Sequence, residues 1–442
     1  MKEWINANET IREDDHGTIQ AAVRLACETG VRKVVVPRYN ARTGGTVWSL
    51  MKAIQLPSDF TLILDNCYME QAKGSYENLI TNERSHDLSY SNVWENEAHN
   101  ITVLGEGNVT LSGGIHNHLL EKTTRKYGLP SMFFQPVLFW HNVRGLRVEN
   151  LHIENFRWWS ILHIMVSDVV LRNLDFYVIP HVPNLDGIDL RIGCHDFFIE
   201  NVTGRTGDDV LALTGLAGTG ERSYAVGGKE INIHNVKARN LKADSNTCYI
   251  VRLLNHDGCQ EYDLDMDVVM DSSDPTTRVN NNGAVAVGSP YYCAKYLAGP
   301  EDTRKIRFSN VYSRGKAALV LNHVLKDSVF TNVHTFSDCG DLVSAFVEGC
   351  SFDNVQLNHS FYEHEYPDAA EGAPVPDEAL TGTLVNFPVL KGTLQICGLE
   401  AGPVGKMVSA PFGNGKLVLK NVSVERTAEE DDLGEEVRVD RQ

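Results

Sequence analysis

A short repeat is the feature of this chain that most limits what it can fold into. An asparagine followed by an aliphatic residue closes a β-rich segment again and again along the chain. The pairs are Asn150-Leu151, Asn173-Leu174, Asn201-Val202, Asn235-Val236, Asn310-Val311, Asn332-Val333, Asn354-Val355 and Asn421-Val422. Where they are most regular, the next pair follows after roughly 20–30 residues, and a repeat of this length is typical of a solenoid, a propeller or a repeat array.

Two of these architectures fit poorly. A propeller blade needs about 40 residues, and a leucine-rich repeat needs several leucines and a helix in each unit. This chain instead favours valine and isoleucine in segments that alternate apolar and polar residues, as half-buried strands do. We therefore expect an all-β fold, a single-stranded right-handed parallel β-helix. The repeated asparagines are expected at the corners of the coils, where Asn tolerates a left-handed backbone and can stack its amide on the next one.

The chain is expected to form a single β-helix domain over residues 1–425, followed by an acidic, solvated tail at 426–442. Residues 15–27 predict a short helix capped by Asp14 or Asp15, which would cover the open end of the stack. Polar, irregular stretches predict long loops over one face, acting as the walls of a cleft. These stretches are 66–98, 114–132 and 357–380.

Two short acidic motifs point to chemistry. Asp186 in Asn184-Leu185-Asp186-Gly187 precedes Asp208 and Asp209 by an interval of the same length as the repeat. If that interval is one coil, the three carboxylates lie on neighbouring coils at about the 4.7–4.9 Å strand spacing. Acids so close must share a proton, and a carboxylic acid beside carboxylates can break a glycosidic bond. Solvated aspartates at turns are the plainer alternative.

Composition narrows the partners. The net charge of −18 argues against nucleic acid and makes a long polyanion an awkward substrate. No apolar run is long enough to span a membrane, and the first residues lack an apolar signal core. The nine cysteines are scattered without a CxxC motif, which suits a reducing cytoplasm. We expect no metal and no cofactor, and the oligomeric state, homo-oligomer included, stays open.

The order of these parts resembles glycoside hydrolase family 28, the polygalacturonases and their relatives, over roughly residues 10–215. The segments that carry the resemblance are Asp15–Ala22, Val34–Pro37, Pro136–Phe139, Leu146–Leu151, Asn155–Trp159, Asn184–Asp189 and Gly207–Leu213. The last two are similar to the Asn-Thr-Asp-Gly and Gly-Asp-Asp motifs of that family. The second half departs from it, since the Gly-His-Gly and the uronate-gripping Arg-Ile-Lys are missing.

The resemblance implies an inverting hydrolase with Asp208 as general acid and with Asp186 and Asp209 positioning and deprotonating water. Other residues are candidates for substrate contact, each with a structural alternative. Asp189 and Arg191 could form a surface ion pair, His256 could serve a structural hydrogen bond, and Trp158 and Trp159 could pack in the core, although at least one should face outward. The substrate-binding candidates are Asp189, Arg252, His256, Trp158, Trp159 and His181.

The expected activity is exo-cleavage of an oligosaccharide, and the missing uronate clamp favours a neutral or differently anchored sugar over the uronate of pectin. A β-helix lyase or fructotransferase is the rival enzyme, and a lyase would want Ca²⁺ and a basic residue. A tailspike-like or adhesin-like protein that binds glycan without cleaving it is the rival outside enzymology.

Overall fold

The computed structural model describes most of the chain, with the clearest gaps in its second half. The described residues are 2–115, 117, 132–179, 184–216, 220–245, 248–272, 283–288, 298–299, 301–314, 317–335, 341–348, 351–357, 383–386, 389–390, 393–397, 400–401 and 405–442. They form two compact units, Met1–Ala238 and Arg239–Gln442. The expectation of a single domain over 1–425 stays a prediction.

Helices are few and short, and those that the structure describes lie in the first unit. The longest described helix, α1, runs from Asp15 to Glu28, and α2 spans Leu88–Ser91. Single 3₁₀ turns lie at Ala7–Thr10, Trp94–Asn96, Met132–Phe134 and Gly220–Tyr224. Among the described residues, no helix has the length and apolar character that a membrane crossing requires.

Helix α1 confirms the prediction made from its sequence. The Asp14 carboxylate caps it by accepting the Gly17 N–H at 2.5 Å. Ile19, Ala22 and Val23 are buried on one face, which packs against the first strands of the unit. The helix therefore covers apolar surface at the start of the coil stack.

Strands make up most of each unit. In the first unit they are β1 (Ile5–Asn6), β2 (Lys33–Pro37), β3 (Val47–Leu50), β4 (Ile54–Leu56), β5 (Phe60–Asp65), β6 (Tyr68–Gln71), β7 (Ile80–Asn82), β8 (Ala98–Glu106), β9 (Thr110–Ser112), β10 (Leu138–Glu154), β11 (Ile161–Tyr177), β12 (Ile188–Leu190), β13 (His195–Thr206) and β14 (Leu211–Leu216). The division between the units falls within β15 (Ile233–Ser245).

The second unit continues with shorter strands. They are β16 (Tyr249–His256), β17 (Glu261–Asp271), β18 (Gly283–Val287), β19 (Thr303–Ser313), β20 (Ala317–Lys326), β21 (Val329–Thr335), β22 (Asp341–Glu348), β23 (Ser351–Leu357), β24 (Thr383–Asn386), β25 (Val389–Leu390), β26 (Thr393–Cys397), β27 (Glu400–Ala401), β28 (Lys406–Ala410), β29 (Phe412–Gly413), β30 (Lys416–Lys420), β31 (Ser423–Val424), β32 (Asp432–Leu433) and β33 (Arg438–Arg441).

The pairing of these strands confirms a parallel β-helix. Each described ladder between strands is parallel, and a strand pairs with the strand one coil further along the chain. Leu138 of β10 is thus in register with Ile161 of β11, and Phe308 of β19 with Phe330 of β21. The alternation of the sequence sends one side of each strand inward, where like residues stack from coil to coil. One such column in the first unit, buried throughout, is Val34, Leu62, Val103, Val148, Leu171 and Ile199.

The corner role of the asparagines is also confirmed. Asn150, Asn173 and Asn201 have φ of 60°, 54° and 57°, the left-handed region that Asn tolerates. The Asn173 amide donates to Asn150 Oδ1 at 2.8 Å, and the Asn201 amide donates to Asn173 Oδ1 at 2.9 Å. Asn332 and Asn310 repeat this contact in the second unit at 3.0 Å. The ladder satisfies amides that would otherwise compete with the backbone for hydrogen bonds.

One loop prediction needs correction. Residues 66–98 are not irregular, because β6 and β7 lie within them and pair with coils on either side. Several of their polar side chains are buried and hydrogen-bonded. The Asn82 amide, for example, donates to the His141 carbonyl oxygen at 2.9 Å, so polar residues did not indicate a loop here. The other two predicted loops, 114–132 and 357–380, lie almost wholly outside the described residues. The side chain of Asn354, one of the repeated asparagines, lies outside them as well.

The acidic tail is likewise more than a solvated end. Within 426–442, β32 pairs with β28 and β33 pairs with β30. The Asp440 carboxylate meets the Lys416 ammonium at 3.1 Å. The acidic side chains stay at the surface while the backbone pairs with the edge of the preceding coil, which would otherwise be exposed.

Candidate active site

The coil interval brings the two acidic motifs together. Strand β12 is in register with β14, so that Ile188 lies opposite Leu211. Just before these strands, the Gly187 N–H donates to the Asp209 carbonyl oxygen at 2.9 Å. Asp186 therefore lies next to Asp209 on the neighbouring coil. Their separation in the sequence by a single repeat interval predicts that they lie on neighbouring coils, as observed.

Asp208 is held at a corner by backbone donors. The Asn184 N–H donates to Asp208 Oδ2 at 2.6 Å, and the Asp209 N–H donates to Asp208 Oδ1 at 3.0 Å. Asn184 itself has a φ of 67°, which turns the first motif toward the second. Both carboxylate oxygens of Asp208 therefore accept a backbone N–H, which fixes the orientation of this side chain at the corner.

Asp186 experiences the opposite environment. Its side chain is buried, and within the described part of the chain its Oδ1 has no hydrogen-bond partner. Burial raises the pKa of Asp186 well above its ordinary value, and the negative charges of Asp189, Asp208 and Asp209 raise it further against the opposing effect of Arg191. This shift favours the protonated form of Asp186.

Two buried carboxyl groups and the guanidinium between them lie close to Asp186. The Arg191 guanidinium donates to Asp189 Oδ1 at 2.7 Å and to Glu221 Oε1 at 3.0 Å. Burial raises the pKa of Asp189 and of Glu221 to about 7 each, although the Arg191 charge opposes the rise. The predicted pairing of Asp189 with Arg191 is therefore present, but its location at the surface is wrong. Asp189 lies in β12 and Arg191 directly follows that strand, and both side chains are buried.

The two tryptophans belong to the same buried layer. Trp158 and Trp159 are 4% and 5% exposed, so the expectation that at least one faces outward is wrong. The Arg191 guanidinium carbon lies 4.0 Å from the centre of the Trp159 ring. This stacking fixes the guanidinium plane while its N–H groups reach the two carboxylates. Substrate contact by either tryptophan stays a prediction.

Three other candidates were named from the sequence. His181 is outside the described residues. Arg252 and His256 belong to strand β16 of the second unit, where the guanidinium carbon of Arg252 lies 5.6 Å from the centre of the Tyr249 ring. His256 is completely buried, which favours the structural alternative. The roles of Arg252 and His256 in substrate binding stay predictions.

Sequence reasoning missed two residues of the buried layer. Glu221 sits in a 3₁₀ turn, outside any repeat motif, and nothing in its local sequence distinguishes it from a surface glutamate. The second is His163 of β11, whose Nδ1 lies 3.0 Å from the Asp189 carbonyl oxygen. Burial lowers the pKa of His163 to about 4. It is therefore a neutral side chain that supports the Asp189 backbone.

The first unit also contains a cavity of about 500 Å³ whose lining does not include the three acids. Trp94, Arg144, His195, Lys229 and Glu230 are among the residues that line it. At its edge, His195, Glu230 and His234 offer ligand atoms within 4.8 Å of one another. This group is a candidate for holding a metal ion, which sequence reasoning did not foresee.

Comparison with known proteins supports the fold. No model of a known protein family matches the chain, and no curated protein sequence matches it. Among solved structures, it is similar to a double mutant of the tailspike protein of E. coli bacteriophage HK620, with 13% identity, 99% of this chain and 80% of that chain covered, and a TM-score of 0.59. A tailspike mutant from the same phage in complex with a pentasaccharide gives 12% identity, the same coverage and a TM-score of 0.57.

A family 28 exopolygalacturonase of Yersinia enterocolitica is similar as well. It matches with 13% identity and a TM-score of 0.51, over 100% of this chain and 79% of that chain. At these identities the likeness concerns the fold alone. The resemblance to family 28 thus extends to the polygalacturonase-like β-helix, and function has to be argued from the site.

Proposed function

We propose that this protein hydrolyses a glycosidic bond of an oligosaccharide, with Asp186, Asp208 and Asp209 as its catalytic residues. The observation that carries the proposal is the buried Asp186 carboxyl, whose pKa is raised well above its ordinary value, on the coil next to Asp208, whose carboxylate oxygen accepts the Asn184 N–H. Glycosidases need such a pair, one carboxyl to protonate the leaving oxygen and one carboxylate to act on water or on the sugar.

The electrostatics favour one change from the roles that the family resemblance implies. The resemblance gives the role of general acid to Asp208, yet both of its carboxylate oxygens accept backbone N–H groups. Burial and three neighbouring acids favour the proton on Asp186. We therefore assign the proton donor to Asp186, and the positioning and deprotonation of water to Asp208 with Asp209.

Inversion of the anomeric centre is part of the proposal. It requires about 6.5–9.5 Å between acid and base so that water fits between them. Carboxylates on neighbouring coils, one of them held outward at a corner, can open to that separation when a sugar enters. A retaining enzyme would need a nucleophile about 5–5.5 Å from its acid.

A neutral sugar is the preferred substrate in this proposal. The Arg191 guanidinium beside the acids already serves two buried carboxylates, so it does not offer its charge to a uronate. A uronate carboxylate bound beside three acids without a cationic partner would be costly. Exo-cleavage and action on imported fragments in the cytoplasm remain parts of the proposal that rest on the sequence.

Substrates with different leaving groups test the assignment. Asp186→Asn should lower turnover of a natural oligosaccharide by about 10³-fold or more, yet keep much of the activity on a dinitrophenyl glycoside, which leaves without protonation. Asp208→Asn should lose both activities, because water still has to be activated. The reverse pattern would restore the acid role of Asp208.

A matched control separates catalysis from folding. Asp263→Asn changes an exposed aspartate that also occupies a left-handed corner, with a φ of 54°, and should leave turnover unchanged. If Asp186→Asn, Asp208→Asn and Asp209→Asn all turn over like this control, the three acids are turn aspartates and the proposed active site is wrong.

A further inference from the structure

Two histidines stack on neighbouring coils of the first unit. The backbone N–H of His234 donates to the Cys194 carbonyl oxygen at 3.3 Å, and this bond places His234 beside His195 on the neighbouring coil. Their rings lie 4.8 Å apart and 1° from parallel. The strands β13 and β15 fix both Cα positions, so the two imidazoles are held side by side by the coil and not by a flexible loop.

The corner that follows each histidine orients the pair. Asp196 and Asn235 both have left-handed backbones, with φ of 59° and 50°, and the Asn235 amide donates to the Asp196 carboxylate. Asp196 Oδ2 in turn lies 2.7 Å from His195 Nδ1. That bond holds the proton on Nδ1 and turns the Nε2 lone pair of His195 outward. Within the described residues this Nε2 has no hydrogen-bond partner.

Glu230 completes the group. Its Oε1 lies 3.0 Å from His234 Nε2, and the ligand atoms of His195, Glu230 and His234 all lie within 4.8 Å of one another. Ligands bound to one tetrahedral Zn²⁺ at about 2.0–2.2 Å are about 3.3 Å apart. The Glu230–His234 pair, at 3.0 Å, is close to that separation, and the ligand atom of His195 lies within 4.8 Å of both.

We propose that His195, Glu230 and His234 bind one transition-metal ion of the Zn²⁺ type. Two imidazoles and a carboxylate suit zinc, and a histidine whose other nitrogen donates to a carboxylate is the usual arrangement around it. His195 and Glu230 also line the cavity of about 500 Å³, so the fourth coordination position faces space for water or a small ligand.

The metal site is independent of the proposed hydrolase. None of Asp186, Asp208 and Asp209 is among the residues that line the cavity. Strand β12 and Gly193 separate the acids from His195 along the coil. Failure of one proposal therefore leaves the other untouched.

Titration of untagged, chelator-treated protein with Zn²⁺ and Co²⁺ tests the site. Calorimetry should give one saturable Zn²⁺ equivalent per chain, and Co²⁺ should give visible bands of a tetrahedral or five-coordinate site without thiolate charge transfer. Glu230→Gln and His234→Gln should each weaken Zn²⁺ by about 100-fold, and Asp196→Asn, which acts through His195, by about 10-fold or more. Circular dichroism and the Tm without metal verify that each variant is folded.

His152→Gln is the matched control. His152 also lies between two carboxylates on the coil surface, 2.6 Å from Asp175 and 3.7 Å from Glu154, but lacks a second histidine. This variant should bind Zn²⁺ as the unchanged protein does. The proposal is overturned if no saturable equivalent binds, if Co²⁺ reports thiolate ligands, or if Glu230→Gln and His234→Gln bind Zn²⁺ like His152→Gln.

Discussion

Replacing Asp189 by asparagine should change how the stability of the protein depends on pH. Asp189 is completely buried, and its pKa is raised from 3.8 to about 7 in the folded state. The folded protein therefore holds a proton that the unfolded chain releases once the pH exceeds about 4. A raised carboxyl pKa means that stability is present below the unfolded pKa and is lost as the pH rises toward the folded one.

The magnitude follows from the same pKa. Each tenfold change in a proton equilibrium is worth about 1.4 kcal/mol, so a rise from 3.8 to about 7 corresponds to about 4 kcal/mol. Asparagine has nearly the same shape as protonated aspartate but does not titrate. Relative to Asp189→Asn, the unchanged protein should therefore lose about 4 kcal/mol of unfolding free energy between pH 4 and pH 8.

Urea unfolding followed by circular dichroism and tryptophan fluorescence at several pH values would measure this difference. Asp263→Asn, at an exposed corner, serves as the control and should track the unchanged protein across the range. A stability difference between the unchanged protein and Asp189→Asn that stays constant with pH would refute the reasoning. So would a gain by the unchanged protein as the pH rises, because an ordinary ion pair with a lowered carboxylate pKa behaves that way.

Three further predictions concern the site and the coil. Activity should fall on the alkaline side of the pH–rate profile as Asp186 loses its proton. Glu221→Gln removes one partner of Arg191, so the freed guanidinium should favour ionised carboxylates and move this alkaline limb to lower pH. An unmoved pH–rate profile in Glu221→Gln would contradict the coupling. Unsubstituted polygalacturonate should be a poor substrate in a reducing-sugar assay, and efficient hydrolysis that Arg252→Ala alone abolishes would make Arg252 a uronate clamp. Asn173→Ala should lower the unfolding free energy by about 1–3 kcal/mol through the lost amide ladder and the left-handed backbone, measured by urea unfolding against Asn232→Ala.

The sequence predicted those features that one coil interval or one local pattern encodes. Asn173 follows Asn150 by one coil length, so its corner position and its ladder could be read directly. The same interval predicted that Asp186 would meet Asp209. Helix α1 was equally readable, because its cap and its apolar face lie within a few residues of one another.

Features that depend on irregular coils could not be read in this way. His195 and His234 occupy equivalent positions, but the chain between them is longer than one ordinary coil because it carries an excursion. Glu221 lies in that same excursion, so its approach to Arg191 has no periodic signal. Burial was misjudged for the same reason, since alternation places Asp189 and Arg191 on one face without telling what covers it.

The most direct test of the central claim is a ¹H NMR time course of an oligosaccharide panel digested by the unchanged protein. We predict many turnovers of a reducing sugar whose first-formed anomer is opposite to that of the cleaved bond, no olefinic proton, and no release by Asp208→Asn. Glycan that binds without release would make the protein a binding module. An unsaturated product would make it a lyase, and either result would contradict the hydrolase proposed here.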